Sequence, residues 1–330
     1  MIDSERSPRV SIVIVNWNKI ELLEKTLLAL QLQSFQDYET IVVDNGSTDG
    51  SVRLVAESFP SVRLLVLEEN TGFAKGNNLG IQQARGELIV LLNNDAIPAP
   101  GWLEHLARAA EQFPEAGFFA SRVLLYREPH LLDSAGDGIT IAGTAYRRGH
   151  RESATRYASQ EFVFGASGSA ACYRRAVLQA IGLLDEDLFA VYEDVDLSFR
   201  AQFAGFRCLY VPQAMVYHWG SSTIGTYSDF YVYQTQRNVE LCFVKNVPGA
   251  LFVLLFPSHL IYNLAGWFFF TIMKRRGRAF LQAKLDALRA LSSTLDKRRR
   301  IQARRRVSVS YIISLLQRDW LTRTLREKLG

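Results

Sequence analysis

The sequence has few cysteines, and they do not form the patterns that bind metals or build disulfide networks. Its 330 residues include three cysteines, an odd number, and no CxxC pair occurs. A disulfide framework and a cysteine-built zinc site are therefore disfavoured, and a reducing compartment is expected. The first ten residues, MIDSERSPRV, contain no apolar stretch, so no secretory signal peptide is predicted.

The common phosphate-binding and hydrolase motifs are also lacking. No GxGxxG follows the first predicted strand, and neither GxxxxGK[ST] nor GxSxG occurs. This argues against a dinucleotide site, a Walker-type phosphate loop and a nucleophile elbow. The composition, 48% hydrophobic and 22% charged, is that of a folded globular protein. A ligand of this chain is therefore expected to meet carboxylates and amides rather than a glycine cradle alone.

Short apolar runs alternate with helical patterns through the first hundred residues. The predicted strands are residues 10–15, 40–43, 62–67 and 88–92, and the predicted helices between and after them are 21–32, 49–59, 74–85 and 100–113. Continuous apolar strands alternating with helices favour a mostly parallel sheet covered on both faces, a doubly wound α/β fold. Further on, we predict helices at 174–181 and 195–204, a strand at 207–211, and loops with a hairpin in 127–160.

Polar side chains follow each of the four predicted strands. They are Asn16 and Asn18, then Asp44, then Asn70, Gly72, Phe73 and Asn77, then Asn94 and Asp95. Ligands of open parallel sheets bind at the carboxyl ends of the strands, so four such ends together favour a binding site. Each end taken singly also fits an ordinary turn, because Asn, Asp and Gly are the residues that turns prefer.

Three features of the sequence are candidate sites of metal binding or catalysis. Asp95 follows a buried strand beside two Asn residues, an arrangement that suits a hard divalent cation, although it also fits a turn cap. Glu193 and Asp194 stand in a cluster of three carboxylates at a predicted helix start, where one of them suits a general base or an N-terminal cap. His218 follows a strand and suits a metal ligand or an ordinary hydrogen-bonded imidazole.

These segments, in this order and spacing, resemble the inverting family-two glycosyltransferases with a GT-A fold. The matching segments are 10–18, 42–51, 69–78, 91–95, 182–186, 192–197, 218–223, 237–238 and 245–246. The stretch Asn-Thr-Gly-Phe-Ala and the HxGSST-like segment are similar to the subgroup that builds bacterial surface polysaccharides, rhamnosyltransferases among them. The resemblance implies a catalytic domain at 1–246, with a donor half at about 8–122 and an acceptor half at about 123–246.

The resemblance also implies roles. Asp44, Asn16, Asn18, Asn70, Gly72, Phe73, Asn77 and Asn94 would bind the nucleotide-sugar donor. Asp95 would hold Mg²⁺ or Mn²⁺ at the family's DxD position, with His218 near the metal or the diphosphate. Asp194 would be the general base, with Glu193 beside it. One departure is Asn93, which replaces the first acid of DxD and brings an oxygen ligand without charge.

The C-terminal region, 247–330, differs in character from the rest. Residues 250–273 carry no formal charge, and a helix of that length extends about 36 Å, enough to cross a bilayer. Pro257, His259 and Asn263 interrupt the run and raise the cost of insertion. From Lys274 to the end there are 17 basic and 4 acidic residues. Residues 250–330 are therefore expected to bind an anionic membrane surface.

The expected location is the cytoplasmic face of the cell membrane, with peripheral or monotopic attachment. A membrane-spanning 250–273 and a hairpin buried on the protein are the alternatives. The resemblance implies transfer from a dTDP- or UDP-linked sugar, dTDP-rhamnose being favoured, to a lipid-linked saccharide. A nucleotidyltransferase and a non-catalytic nucleotide-sugar scaffold stay open as alternatives. No nucleic-acid partner is expected, since no recognised binding motif accompanies the basic runs.

Overall fold

The computed structural model describes residues 7–220 and 227–318, which form an α/β core followed by a helical C-terminal region. The strands are β1 (Val10–Asn16), β2 (Tyr38–Asp44), β3 (Arg63–Val66), β4 (Leu88–Leu92), β5 (Ala96–Pro98), β6 (Ala116–Leu125), β7 (Glu128–Ser134), β8 (Asp137–Thr140), β9 (Ala145–Arg147), β10 (Glu161–Val163), β11 (Ala170–Arg174), β12 (Arg207–His218) and β13 (Leu316–Gln317). The helices are α1 (Ile20–Gln31), α2 (Ser51–Ser58), α3 (Phe73–Gln83), α4 (Trp102–Gln112), α5 (Arg175–Ile181), α6 (Glu193–Phe203), α7 (Asp229–Asn246), α8 (Gly249–Phe268), α9 (Gly277–Arg289), α10 (Leu291–Ala303) and α11 (Val309–Leu315).

A mixed ten-stranded sheet runs through the core. Its main path is β10-β12-β6-β11-β4-β1-β2-β3, with β5 paired to β12 and β7 paired to β6. The four strands β4, β1, β2 and β3 are parallel, as the sequence predicts, while β11 runs antiparallel to both β4 and β6. The parallel strands therefore end at one common edge, where the polar residues of the sequence patterns come together.

Alternate residues of β1 supply the two apolar layers that cover the sheet. Ile12 and Ile14 pack with Leu23 and Leu27 of α1 and with Trp102 of α4. The intervening residues of β1 face the opposite side and pack with α3, α5 and α6. A strand buried on both faces explains why its sequence is a continuous apolar run rather than an alternating one.

The second half of the sheet is more extensive than its sequence suggests. The region predicted as loops with a hairpin contains β7, the β8–β9 hairpin and a 3₁₀ turn at Ala154–Arg156. Strand β12 continues to His218, seven residues beyond its predicted end, because a register shift between Val211 and Met215 accommodates Pro212. Proline lacks the N–H that a regular ladder needs, and a bulge removes that demand.

The C-terminal region packs onto the α/β core rather than standing apart from it. Leu251 and Leu255 of α8 and Ile312 of α11 share one apolar cluster with Phe199 of α6 and Ile139 of β8. Strand β13 then pairs with β8 in parallel. One apolar segment within the described residues, Gly249–Met273, is long enough to cross a membrane; its mean hydropathy is 1.5, and 28% of it is buried.

Candidate functional site

Asn16, Asp44 and Asn94 form a buried polar cluster at the ends of β1, β2 and β4. Asn16 lies opposite Asp44 in the parallel register, and its Nδ2 atom donates a hydrogen bond to Asp44 Oδ2 at 3.1 Å. Asn94 Nδ2 donates to Asn16 Oδ1 at 2.8 Å. The second oxygen of Asp44 accepts the backbone N–H of Ser47 at 2.8 Å. Three residues predicted to bind the donor thus meet at one place.

Asn18 ties the loop after β1 to the loop after β2. Its Oδ1 atom accepts the backbone N–H of Thr48 at 2.8 Å, and its own N–H donates to Ser47 Oγ at 2.9 Å. Asn18 has a φ of 50°, the left-handed conformation that Asn tolerates better than most residues. The two loops are therefore held together beside the Asp44 carboxylate.

Asn45 connects this cluster to the loop before α3, and sequence reasoning did not single it out. Its Nδ2 atom donates to Asn70 Oδ1 at 3.0 Å and to the Gly72 carbonyl at 3.1 Å, and its Oδ1 accepts the Thr71 N–H. Gly72 has a φ of +91°, and a Cβ atom there would lie 2.6 Å from the ring of Phe189. The DNG triplet was the available signal for Asn45, because it follows a buried strand directly.

The other two residues predicted to bind the donor lie one turn apart at the start of α3. Asn77 is buried, and its Nδ2 atom donates to the Phe73 carbonyl at 2.9 Å, within the helix. Phe73 is half-buried and packs against the second apolar layer. Both belong to the helix that begins at the Gly72 loop.

His218 lies between two carboxylates at the end of β12. Its Nε2 atom is 3.1 Å from Asp95 Oδ1, and its Nδ1 atom is 2.8 Å from Asp133 Oδ2. Burial lowers the pKa of His218, but the hydrogen bonds to Asp133 and Asp95 outweigh it and raise that pKa to about 10. The two carboxylates therefore favour the protonated, positively charged form of the ring. Residues 221–223, which complete the predicted motif, lie outside the described residues.

Asp133 comes from β7, in the stretch that the sequence predicted as loops. It is buried and also pairs with Arg147 and His150. Burial raises the pKa of Asp133, but the charge of Arg147 and the hydrogen bonds from His150 and His218 hold it well below its usual range. A carboxylate that accepts a hydrogen bond from one nitrogen of a histidine fixes the orientation of the ring, as carboxylates do for the ligating histidines of metal sites.

Oxygen donors beside Asp95 fit a hard divalent cation. Asn93 Oδ1 is a buried atom with no hydrogen-bond partner within the described residues, and its amide Nδ2 lies 3.4 Å from His218 Nε2. An unsatisfied buried oxygen next to a carboxylate is what an incoming cation would satisfy. Among residues 7–220 and 227–318, the protein supplies no group of three or more His, Cys, Asp or Glu side chains arranged around one point.

Asp194 lies at the start of α6 and is bound by backbone donors. Its Oδ2 accepts the Gly168 N–H at 2.7 Å, and its Oδ1 accepts the Val195 N–H at 2.8 Å. Burial raises the pKa of Asp194 and exceeds the opposing effect of these N–H groups. A carboxylate with a raised pKa is better matched to accept a proton near neutral pH.

Two further carboxylates crowd around Asp194. Burial, and then the charge of Asp194, raises the pKa of Glu193 well above its usual range, and Glu193 Oε2 is buried with no partner in the described part of the chain. The same two causes raise the pKa of Asp137. Asp196, the third acid of the sequence cluster, differs because Arg200 and Lys245 hold its pKa well below its usual range. Asp196 is thus a structural ion-pair residue.

The loop before β11 connects the Asp95 region with Asp194. The Asn93 N–H donates to the Ser169 carbonyl at 3.0 Å, and the adjacent Gly168 N–H donates to Asp194. A Cβ atom on Gly168 would lie 3.2 Å from Asp194 Oδ2, so a glycine permits this close approach. The sequence pattern gave Gly168 no role, since its partner is 26 residues away.

The segment before α6 has a strained backbone held by Asn238. Phe189, Val191 and Tyr192 all have positive φ, which is costly for a β-branched or bulky side chain. Asn238 of α7 is fully buried, and its Nδ2 atom lies 2.7–3.0 Å from the carbonyls of Leu188, Ala190 and Val191. This amide stabilises the turn that sets the start of α6 and therefore the position of Asp194.

Comparisons with known proteins define the class to which this fold and site belong. The sequence profile described as "Glycosyl transferase family 2" matches residues 11–182, and the chain belongs to that family. A Mycobacterium tuberculosis protein named N-acetylglucosaminyl-diphospho-decaprenol L-rhamnosyltransferase is 29% identical over 242 residues, covering 65% of this chain and 77% of its own. The family predicted from the sequence motifs is thereby confirmed.

Two solved structures share the fold. A mannosyltransferase from Pyrobaculum calidifontis in complex with GDP-Man and Mn²⁺ aligns with a TM-score of 0.53 and 20% identity, covering 99% of this chain and 82% of the other. TarS 1–349 of S. aureus in complex with UDP aligns with a TM-score of 0.54 and 17% identity, covering 89% of this chain and 90% of the other. The predicted GT-A-type α/β fold is confirmed by these neighbours.

Proposed function

We propose that the chain transfers a sugar from a nucleoside-diphosphate donor to a hydroxyl group of a lipid-linked saccharide, with inversion at the anomeric carbon. The donor that we favour is dTDP-rhamnose, and a UDP-sugar is the alternative. The observation that carries the proposal is Asp194, a carboxylate of raised pKa joined by the 168–169 loop to the Asn93–Asp95 strand end. The relative from M. tuberculosis, whose name gives a rhamnosyltransferase and a diphospho-decaprenol acceptor, supports the substrate class.

Each part of the site has a task in this reaction. The Asn16–Asp44–Asn94 cluster and the Asn45-linked loop bind the nucleoside part of the donor through amide and carboxylate groups. Asp194 accepts the proton of the acceptor hydroxyl as that oxygen attacks the anomeric carbon from the face opposite the diphosphate. Glu193, whose pKa is raised by burial and by the charge of Asp194, lies beside it.

A divalent cation, Mg²⁺ or Mn²⁺, would be held by Asp95 and by the unpaired oxygen of Asn93. Such an ion neutralises charge that develops on the departing diphosphate. His218 borders the same place; to ligate, it has to release the Nε2 proton that now faces Asp95, because a ligating imidazole is neutral. With the proton retained, its positive charge faces the diphosphate instead.

Turnover by Asp194→Asn tests the assignment of the base. We expect kcat to fall by about 10²–10⁴-fold, because general-base catalysis contributes a factor of that size. Asp296→Asn, an exposed carboxylate on α10, is the matched control and should turn over normally. Near-normal turnover by folded Asp194→Asn protein would show that another group takes the proton. NMR of the product gives the anomeric configuration, and a retained configuration contradicts inversion.

Nucleotide binding tests the donor and the metal separately from turnover. Thermal shifts with dTDP, UDP, GDP and ADP, each with and without Mn²⁺, rank the bases, since stabilisation grows with the ratio of ligand to its Kd. Metal-dependent stabilisation by dTDP or UDP that is lost in Asp95→Ala supports the donor and cation proposals. Binding without any sugar transfer would favour the non-catalytic scaffold.

The proposed location is the cytoplasmic face of the cell membrane. The apolar segment Gly249–Met273 and the 17 basic residues from Lys274 onward support attachment to an anionic surface through residues 250–330. Attachment there brings the enzyme to a lipid-linked acceptor, which resides in the membrane. A membrane-spanning 250–273 is the alternative form of attachment.

A further inference from the structure

One side of helix α8 packs against the rest of the protein as a continuous stripe of buried residues along most of the helix. Its buried residues are Leu251, Leu255, His259, Tyr262 and Gly266. Their spacing of three and four residues is that of a single helical face, and the stripe extends over about 22 Å at the rise of an α-helix. The protein therefore contacts α8 near its beginning, middle and end.

The middle of this stripe is the polar residue His259, and both of its ring nitrogens have hydrogen-bond partners. His259 Nδ1 lies 2.8 Å from the Ala142 carbonyl, and Nε2 lies 3.0 Å from Glu240 Oε2. The imidazole also stacks on Phe243, with ring centroids 3.8 Å apart and planes inclined by 6°. If α8 crossed a bilayer, Glu240 and the Ala142 carbonyl would lose these partners and His259 would enter the hydrocarbon, which is costly.

The opposite side of α8 is apolar and exposed. Its exposed side chains are Val253, Leu254, Phe256, Leu260, Ile261, Leu264, Trp267, Phe268, Ile272 and Met273, the last two lying in the π-helical turn that follows. Val253 is 76% exposed and Leu254 67%. A soluble monomer rarely exposes so many contiguous large apolar side chains, and such a surface marks an interaction site.

Helix α9 extends this apolar surface and gives it a basic border. Leu281, Leu285 and Leu288 are exposed at helical spacing, while the other side of α9 packs on α7. Arg275 and Arg278 are exposed where α8 turns into α9. Exposed apolar side chains bordered by arginines fit the interface of an anionic bilayer.

We propose that the outward sides of α8 and α9 form a docking face that lies flat in the interface of an anionic bilayer. The docking face consists of the exposed apolar residues of Gly249–Met273 together with Leu281, Leu285 and Leu288. Helix α8 lies in the membrane plane and does not cross it. The protein occupies one long side of the helix, so lipid meets only the other.

The docking face is adjacent to the catalytic segment, a step that rests on the proposed function. Tyr262 of α8 packs in one cluster with Ala142 and Tyr192. Tyr192 precedes Asp194 by two residues, and its hydroxyl accepts the Ala145 N–H at 3.2 Å. A saccharide on a lipid carrier therefore approaches Asp194 from the α8 side, with its carrier still in the bilayer.

Vesicle sedimentation of the full chain tests the docking face. We expect binding to phosphatidylglycerol-containing vesicles and weaker binding to phosphatidylcholine alone. The variant Leu254→Glu/Ile261→Glu/Leu264→Glu should lose at least about tenfold in partitioning, because three apolar contacts become charges. Its matched control is Leu32→Glu/Val66→Glu, which charges exposed apolar residues far from the face and should bind normally.

The alternatives give different results in the same experiment. Equal binding by the triple variant and the wild type, with both folded by circular dichroism, would overturn the proposal. A lipid-free dimer on gel filtration that only the triple variant dissociates, with unchanged vesicle binding, would assign the surface to a second copy. Sugar transfer is not needed for this readout, so a failure of the proposed reaction leaves the result interpretable.

Labelling at Ala250, near the start of α8, and at Arg278, just after Gly249–Met273, distinguishes an in-plane helix from a spanning one. Ala250→Cys and Arg278→Cys add exposed thiols, whereas the native Cys172, Cys208 and Cys242 are all buried. A membrane-impermeant maleimide should label neither site in intact spheroplasts and both sites in inside-out vesicles. Labelling of one end in each preparation would show that the helix crosses the membrane and would overturn the in-plane arrangement.

Discussion

Asp133 and His218 are 85 residues apart in the chain, and their side chains meet at 2.8 Å. The contact joins β7 to the end of β12 on the side of the ring away from Asp95. Because Arg147 and His150 hold Asp133 in turn, the ring of His218 has one preferred orientation. Asp133 is therefore a positioning residue for the proposed diphosphate site.

Asp133→Asn tests this contact, since it keeps the shape of the side chain and removes its charge. We expect turnover to fall by about 10–100-fold, the usual effect of losing an outer-shell partner. A double-mutant cycle with His218→Ala should be strongly non-additive. Additive losses, or a loss explained by a lower melting temperature alone, would mean that Asp133 acts only in the packing of β7.

Gly72→Ala tests the close approach of the loop before α3 to Phe189. A Cβ atom would meet Phe189 Cδ2 at 2.6 Å and the Phe189 carbonyl at 2.8 Å. Gly50→Ala is a control for positive φ without a close contact, because Gly50 has the same φ of +91°, a ψ of 4° and its nearest contact 3.6 Å away. We expect Gly50→Ala to cost about 1 kcal/mol for its left-handed backbone. Gly72→Ala should cost about 1–3 kcal/mol for its backbone, whose ψ of 166° lies in a region that only glycine adopts readily, and about 1–3 kcal/mol more for the overlap. Urea denaturation measures both, and equal costs would exclude a rigid contact.

Asn238→Ala tests the amide that supports the strained turn. Removal takes this donor from the carbonyls of Ala190 and Val191, while the Leu188 carbonyl keeps the Ala190 N–H, so we expect a loss of about 1–3 kcal/mol in unfolding free energy. Turnover should fall as well, because this turn sets the start of α6 and therefore the position of Asp194. Gln282→Ala, an exposed residue on α9, should change stability by less than about 0.5 kcal/mol.

Glu240 should make the packing of α8 on α7 sensitive to acid. Burial raises the pKa of Glu240, but the hydrogen bond from His259 and the charge of Lys284 outweigh it and lower that pKa to about 2. A carboxyl group whose pKa is lower in the folded chain stabilises the folded state at pH values above 4.5, its usual pKa. This contribution is lost as the pH falls from 4.5 toward 2.

Urea denaturation at pH 6 and at pH 3 measures this contribution. At about 1.4 kcal/mol per pH unit, it should shrink by up to about 2 kcal/mol by pH 3. The Glu240→Gln variant should therefore lose less stability than the wild type over that interval. Parallel losses in the two proteins would contradict the assignment.

The first four strand ends were predictable because their signals are local. Each is a buried apolar run followed at once by Asn, Asp or Gly, so the residues that meet near Asp44 could be found one motif at a time. Chain order and the parallel sheet then brought them to one edge. The assignment of Asp95 and Asp194 to named chemical roles remains a prediction.

The missed residues act through partners far away in the chain. Asp133 lies in a stretch rich in Gly, Arg and Ser, where alternation is weak, and only pairing with β6 makes it a strand. Gly168 has no local motif, and Asn238 belongs to the matching segment 237–238 without an assigned role, because their importance comes from Asp194 and from three carbonyls about 50 residues earlier. Long-range pairing of this kind leaves no periodic trace in the sequence.

The last part of the chain also stabilises the α/β core. Lys297 of α10 pairs with Asp185 and Asp187 just before the strained turn, and Leu316 of β13 pairs with Ile139 of β8. Cutting the chain at residue 249 to obtain a more soluble enzyme would remove an ion partner and a neighbouring strand along with the apolar helix. A shortened enzyme of that kind should be less stable and less active even on a water-soluble acceptor, so solubility is better sought through point changes on α8.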